Sequence, residues 1–231
     1  MLVAAAVPAE RDAVARAVAA APPAHRPAVD CLAVGVGPAA AAAGTAIALT
    51  TAALRGEPYD LVVSAGIGGG FQPEAPVGSV VVADAIDAAD LGAETGDGFL
   101  PVTELGFGTS VHTPPPALVR AAAAATGART GVVLTVSTVT GTARRATELR
   151  ERHPRAVAEA MEGFGVAEAA AAHGLPVFEV RAVSNPVGPR DRAAWRIGDA
   201  LSALTDAFGA LLPVLAEALV AAAEVTEQES P

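Results

Sequence analysis

The sequence predicts an α/β protein with a largely parallel or mixed sheet covered by helices on both faces. Short apolar runs of strand length alternate along the chain with longer alanine-rich segments, the order that strand–helix–strand units produce. A chain of 231 residues that is 52% hydrophobic fills a sizeable core, enough for an enzyme in a single domain. No repeat with a period of 20–50 residues breaks that domain into copies.

The elements follow in order. The opening MLVAAAVPAE has an apolar run of about seven residues, no basic flank, and Pro8 and Glu10 close behind. It is too short for a signal core or a membrane span, so residues 2–7 read as a first strand and 10–20 as the helix after it. A strand at 29–36 ends in VGVGPAAAAAG, where Pro38 starts a helix over 38–55 directly after a Gly-x-Gly turn. A strand at 60–65 runs into LVVSAGIGGGF, residues 61–71. Its glycines fall where an α/β sheet opens its ligand crevice, and bare backbone there can approach a ligand closely. A strand at 79–85 is followed by residues 90–116, rich in Gly, Thr and Pro. This segment reads as a long excursion of the kind that builds sites or subunit contacts. Then come a helix at 115–126, a strand at 131–137, helices at 142–152 and 156–173, a strand at 177–184 and a helix at 197–224. Residues 225–231 are expected to fray.

One of these helices poses a problem. Within 156–173, Gly163 and Gly165 each cost about 1 kcal/mol relative to alanine in a helix interior, so something has to come close there.

Charge and cysteine usage narrow the partners. A net charge of −10 repels nucleic acid and anionic membrane surfaces, which leaves a small molecule as the expected ligand. Cys31 stands alone, excluding an internal disulfide framework or a cysteine metal cluster, and fits the cytoplasm. His25, His112, His153 and His173 are scattered without metal-ligand spacing, and none is assigned a role. Neither glycine loop is a dinucleotide fingerprint: the loop at 61–71 lacks a following helix, the loop at 34–44 lacks the third glycine in register, and no suitably placed acid follows. Taken singly, the remaining features have plain readings: tight turns for the glycine loops, a first-turn acid for Glu10, core filler for Met161, and a solvated helix face for Glu162.

Together they carry more. A strand followed by Glu10, the loop Ser64-Ala65-Gly66 with Gly68 to Phe71, the pair Met161-Glu162, and the strand end Arg181-Ala182-Val183-Ser184-Asn185 occur in one order and spacing. In this the chain resembles the nucleoside phosphorylase/hydrolase superfamily over nearly its whole length. It is most similar to the nucleosidase branch typified by 5′-methylthioadenosine/S-adenosylhomocysteine nucleosidase and, within that branch, to the futalosine hydrolases of the alternative menaquinone pathway. The resemblance implies a three-layer α/β/α fold, no cofactor, no metal, and cleavage of an N-glycosidic bond. It further implies that Glu10 orients the attacking water as general base, that Glu162 bonds the ribose hydroxyls, and that Met161 packs on the sugar. Ser64, Ala65, Gly66 and Ser184 are implied as further substrate contacts. Homo-oligomerisation, as a dimer or larger, is implied as well, with residues 90–116 contributing a subunit contact near the 5′ side of the sugar.

Asn185 departs from the adenosine-type pattern, which has Asp there. An amide cannot act as a general acid, but it offers two donor hydrogens to a base with acceptors at O6 and N7, the pattern of hypoxanthine and guanine. It is equally a turn former before Pro186. The glycine loops carry no cation to hold phosphate, favouring hydrolysis over phosphorolysis, although Arg144 and Arg145 follow a nearby turn. Arg190 and Arg192 lie just beyond Asn185, where a guanidinium could meet an aromatic carboxylate or simply be solvated. The expected activity is release of hypoxanthine from futalosine. Methylthioadenosine/S-adenosylhomocysteine nucleosidase activity is the alternative within enzymes, and a non-catalytic nucleoside-binding module the alternative outside them.

Overall fold

The computed structural model describes residues 1–23, 27–96 and 98–228, without side chains for 222–228. His25 lies outside the described residues, as do positions 229–231 of the expected frayed tail. The elements are β1 (Leu2–Ala5), α1 (Pro8–Ala20), β2 (Asp30–Ala33), α2 (Pro38–Leu54), β3 (Val62–Gly70), β4 (Val80–Ala88), β5 (Gly92–Thr95), β6 (Gly98–Pro101) and β7 (Val111–His112). They continue as α3 (Pro116–Thr126), β8 (Arg129–Thr135), α4 (Ala143–Arg152), β9 (Ala156–Ala160), α5 (Gly163–Ala172), β10 (Val177–Pro186), a short 3-10 turn at Arg192–Ala194, and α6 (Ile197–Gln228).

Among the described residues, eight strands form one mixed sheet. β3 runs parallel to β1 and β10, and β4 and β9 both run parallel to β8. Antiparallel pairs join β10 to β4 and the end of β3 to β9. The sequence β3, β10, β4, β8, β9 and back to β3 is therefore a closed ring, with β1 and β2 extending from it. Closure hinges on β3. Its first half pairs with β1 through Val62–Ser64, whereas on the same edge Gly69 and Gly70 pair with β9.

Apolar residues of α1, α3 and α6 cover one face of the sheet, with Val14, Leu118, Leu204, Phe208 and Leu211 packed on Val3, Val63 and Val180. Residues of α2 and α5 cover the other, where Leu49, Val166 and Ala170 meet Val62, Val81 and Val133. The stretch Ile197–Ala221 is long and apolar enough by length and composition to cross a membrane. Its residues 204, 208, 211 and 215 nevertheless form a buried stripe at helical spacing within the core.

Four expectations are corrected. The helix expected over 156–173 is a strand, β9, followed by the shorter α5. Alanine favours helix intrinsically, but all five residues of β9 are buried between β8 and β3, and that packing overrides a preference of a few tenths of a kcal/mol per residue. The strand expected to end at residue 65 continues to Gly70, because β9 and β10 supply ladder partners to the glycines. Residues 90–116 are partly regular: β5 and β6 form a hairpin, and β7 pairs with β4. The last helix also runs beyond residue 224, to Gln228.

The two glycines of α5 have their explanation. A Cβ on Gly163 would lie 2.3 Å from the Glu179 carboxylate, and one on Gly165 would lie 2.0 Å from the Pro38 carbonyl oxygen at the start of α2. Helix propensity is given up for a buried carboxylate on one side and close helix packing on the other.

Candidate active site

The site forms where β3 changes neighbours. Pro8 opens α1 and puts Glu10 in its first turn, where the carboxylate turns back on the chain that precedes it. Glu10 Oε2 accepts from the backbone N–H groups of Ala6 (3.0 Å) and Val7 (3.3 Å), while Oε1 accepts from Ile67 on β3 (2.9 Å). Burial raises the Glu10 pKa above its ordinary value, opposed by the Arg181 charge and the Ile67 N–H. The result is a carboxylate fixed in place yet basic for its kind.

Arg181 lies on β10, fully buried. Its Nε donates to Glu179 Oε1 (2.8 Å), Nη1 to Glu162 Oε2 (3.3 Å) and Nη2 to Ser64 Oγ (2.8 Å). Burial opposes the guanidinium charge, but Glu179, Glu162 and Glu10 outweigh it and raise the Arg181 pKa. Burial also raises the Glu179 carboxyl, again with Arg181 opposing. Glu10 and Arg181 crowd the same point: a Cβ on Gly66 would lie 2.6 Å from Glu10 Oε1 and 2.7 Å from Arg181 Nη1. Gly66 therefore has to lack a side chain.

β9 ends in Ala160, so Met161 and Glu162 stand at a strand's exit rather than inside a helix. Glu162 Oε1 accepts from Gly37 N–H (3.2 Å) at the start of α2. One carboxylate thus ties the Gly-x-Gly turn to Arg181. On the opposite side, Ser184 Oγ donates to Asn185 Oδ1 (2.8 Å), and Asn185 Nδ2 donates to the Pro186 carbonyl (3.0 Å). Of the two donor hydrogens expected of Asn185, one is engaged there and one is left for a ligand.

These groups enclose a cavity of about 500 Å³ lined by Glu10, Ile67, Gly68, Gly69, Val139, Glu159, Met161, Glu162, Ser184, Asn185, Arg192 and Trp195, among others. A larger cavity of about 670 Å³ beside Met1, Asp30 and Tyr59 has no buried carboxylate in its wall. The chemistry gathers in the smaller one.

Of the residues expected at the site, Glu10, Met161, Glu162, Ser184, Asn185 and Arg192 share this cavity. Ser64, Ala65 and Gly66 do not line it. Ser64 and Ala65 are fully buried beneath it, Ser64 holding Arg181, and the next three residues, Ile67 to Gly69, form the wall. Arg190 also stays outside the lining, with its guanidinium 5.7 Å from the centre of the Trp195 ring. Sequence reasoning missed Arg181 and Glu179 as site residues. The signal was present: VFEVRAV is an apolar strand with two opposite charges two residues apart, on one face, and such charges are buried only when paired. Glu159 and Trp195 were missed as well. Among the described residues, no cluster of three or more His, Cys, Asp or Glu could hold a metal ion.

Residues 25–220 match the family model of the phosphorylase superfamily. The chain is 74% identical over 225 residues to futalosine hydrolase of Streptomyces coelicolor, covering 93% of this chain and 96% of the relative. It is 49% identical over 158 residues to futalosine hydrolase of Acidothermus cellulolyticus, covering 66% and 64%. The fold also superposes on native futalosine hydrolase of Helicobacter pylori with a TM-score of 0.74 at 14% identity, covering 91% of this chain and 96% of that one. Family model, sequence identity over nearly the full length and shared fold agree, and the chain belongs to the futalosine hydrolases of the phosphorylase superfamily.

Proposed function

We propose that the protein hydrolyses the N-glycosidic bond of futalosine, releasing hypoxanthine and dehypoxanthinyl futalosine in the alternative route to menaquinone. The observation that carries this is Glu10, held by three backbone N–H groups in the wall of a cavity that Asn185 also lines. Glu162 and Met161 hold the ribose between them through its hydroxyls and its ring face. Arg181 touches no substrate; it is a positioning residue that fixes Glu162. As the bond from the sugar to the purine breaks, its electron pair stays on the base and the sugar becomes cationic, with acidic side chains to stabilise it. A water oxygen attacks the anomeric carbon and gives its proton to Glu10. The free Asn185 N–H donates to the negative charge developing on the departing 6-oxopurine. Arg192 lines the cavity, and on this reading its guanidinium pairs with the substrate's aromatic carboxylate.

Water rather than phosphate is the acceptor on this reading. Among the described residues, Arg192 is the one cation in the cavity lining, and Arg181 is neutralised by Glu179 and Glu162. We place the enzyme in the cytoplasm as a homo-oligomer, a reading supported by lone Cys31 and by exposed Ile47, Leu54, Phe107 and Val111. Incubation with futalosine, inosine and methylthioadenosine, followed by chromatography of the free base, tests the activity. Hypoxanthine from futalosine is expected. Adenine from methylthioadenosine alone would assign the alternative nucleosidase, and no base from any of the three would leave a binding module.

A further inference from the structure

Glu159 has no part in the mechanism above, yet it is a buried acid in the cavity wall. Its Oε1 accepts from Thr140 N–H (2.8 Å) and its Oε2 from the Thr140 hydroxyl. A carboxylate offers about four acceptor positions, so two remain. The strand register adds the decisive fact. Gly69 is the partner of Glu159 on β9 and also the partner of Asn185 on β10. The three residues form one row across three strands; Gly69 adds no side chain to it, and the position its Cβ would take lies 3.0 Å from Val187 Cγ2 and 3.3 Å from Asn185 Nδ2. Two strand spacings put the outer residues about 10 Å apart, a span for a planar base edge with a hydrogen bond of about 2.9 Å on each side.

A 6-oxopurine has complementary polarity along that edge. N7 and O6 accept, which suits Asn185, and N1 carries a hydrogen that has to find an acceptor once water is excluded. Adenine presents a lone pair at N1 instead. We propose that Glu159 accepts from the N1–H of the base, so that Glu159 and Asn185 read the N1 and N7 ends of one edge across Gly69 and together select a 6-oxopurine. This inference rests on the proposed activity and deepens it. Burial raises the Glu159 pKa, with the two Thr140 hydrogen bonds and the Arg145 charge opposing. A donor arriving with the substrate relieves that cost.

The experiment is calorimetric titration of hypoxanthine, 1-methylhypoxanthine and adenine into the wild-type protein and Glu159→Gln, with futalosine turnover measured alongside. The wild type should bind hypoxanthine roughly 10- to 100-fold more tightly than either of the other bases. In Glu159→Gln the amide can turn either its oxygen or its NH₂ to N1. Hypoxanthine affinity should then stay within about 10-fold, while the preference over adenine falls by roughly 10- to 100-fold. A role limited to holding Thr140 would weaken all three bases alike, and an unchanged hypoxanthine-to-adenine ratio would overturn the proposal. Should the variant not fold, equal wild-type binding of hypoxanthine and 1-methylhypoxanthine overturns it on its own. Base discrimination without futalosine turnover would remove the substrate assignment and keep the base reader; turnover without discrimination would do the reverse.

Discussion

Gly66→Ala tests the construction of the site with a single methyl group. Gly66 lies in the interior of β3, opposite Arg181 on β10, so the backbone tolerates alanine and the question is only one of space. The added carbon would lie 2.6 Å from Glu10 Oε1, 3.0 Å from Glu10 Cδ and 2.7 Å from Arg181 Nη1. Reaching ordinary contact requires these atoms to retreat by about 1 Å. They are side-chain tips, which elsewhere would swing away at little cost. Here Glu10 is held by Ala6, Val7 and Ile67, and Arg181 by Glu179, Glu162 and Ser64. The strain therefore falls on the two groups that place the water and the sugar. Overpacking of this kind costs about 1–3 kcal/mol of stability, a fall in Tm of roughly 2–12 °C for a domain of this size. Misplacing a catalytic group by about 1 Å costs roughly 100-fold in rate. Differential scanning fluorimetry and steady-state release of hypoxanthine should thus show a folded protein with kcat reduced about 100-fold. Turnover within about threefold of wild type would refute the argument that Glu10 and Arg181 are fixed against this strand.

Other expectations follow from the same geometry. Glu10→Gln keeps the shape and loses the base, so kcat should fall by roughly 100-fold or more with KM little changed; near-normal turnover would remove Glu10 from the mechanism. Because burial raises the Glu10 pKa and the base works only when ionised, kcat/KM of the wild type should climb with pH through a midpoint above the ordinary carboxylate value. A pH–rate profile with no such acid limb would contradict that assignment. Asn185→Asp sets acceptors against acceptors, penalising hypoxanthine by about 1–3 kcal/mol. The adenine-to-hypoxanthine cleavage ratio should rise, with futalosine activity partly restored at lower pH; an unchanged preference would reduce Asn185 to a turn former. Sedimentation at micromolar concentration should show a dimer or larger species, and a monomer would refute the oligomer expected from Phe107 and its apolar neighbours.

Much of this was legible in one dimension. The alternation of apolar and alanine-rich segments gave the layers, and Glu10, Met161, Glu162 and Asn185 were picked out by order and spacing before any geometry. What was not legible has a common cause in strand pairing. Residues 156–160 look helical because alanine does, and only burial between β8 and β9's other neighbour, β3, makes them extended. The cavity wall was expected at Ser64–Gly66 and stands at Ile67–Gly69, since continuing the strand through glycine depends on partners brought from residues 158–159 and 177–186. Arg181 announced itself by an odd charge in an apolar strand, but its role needed Ser64, 117 positions away, and Glu162 beside it in space. Glu159 gave no local sign: its place opposite Asn185 is a matter of register alone.

The closed ring of five strands also bears on how the molecule comes into being. Glu10, Gly66, Glu162 and Arg181 belong to separate strand–helix units, and the bonds joining them span up to 125 residues, as between Gly37 and Glu162. Contacts of such long range are entropically late, because each large loop has to close before the contact repays the cost. β10, the last strand in the sequence, carries the arginine and the amide, and its place between β3 and β4 completes the ring. The carboxylates of Glu10, Glu162 and Glu179 all precede Arg181 in the chain, so the cation they face is the last of the four to be made. Catalytic competence in this fold is thus a readout of complete topology, because the groups of the site stand together only in the closed ring.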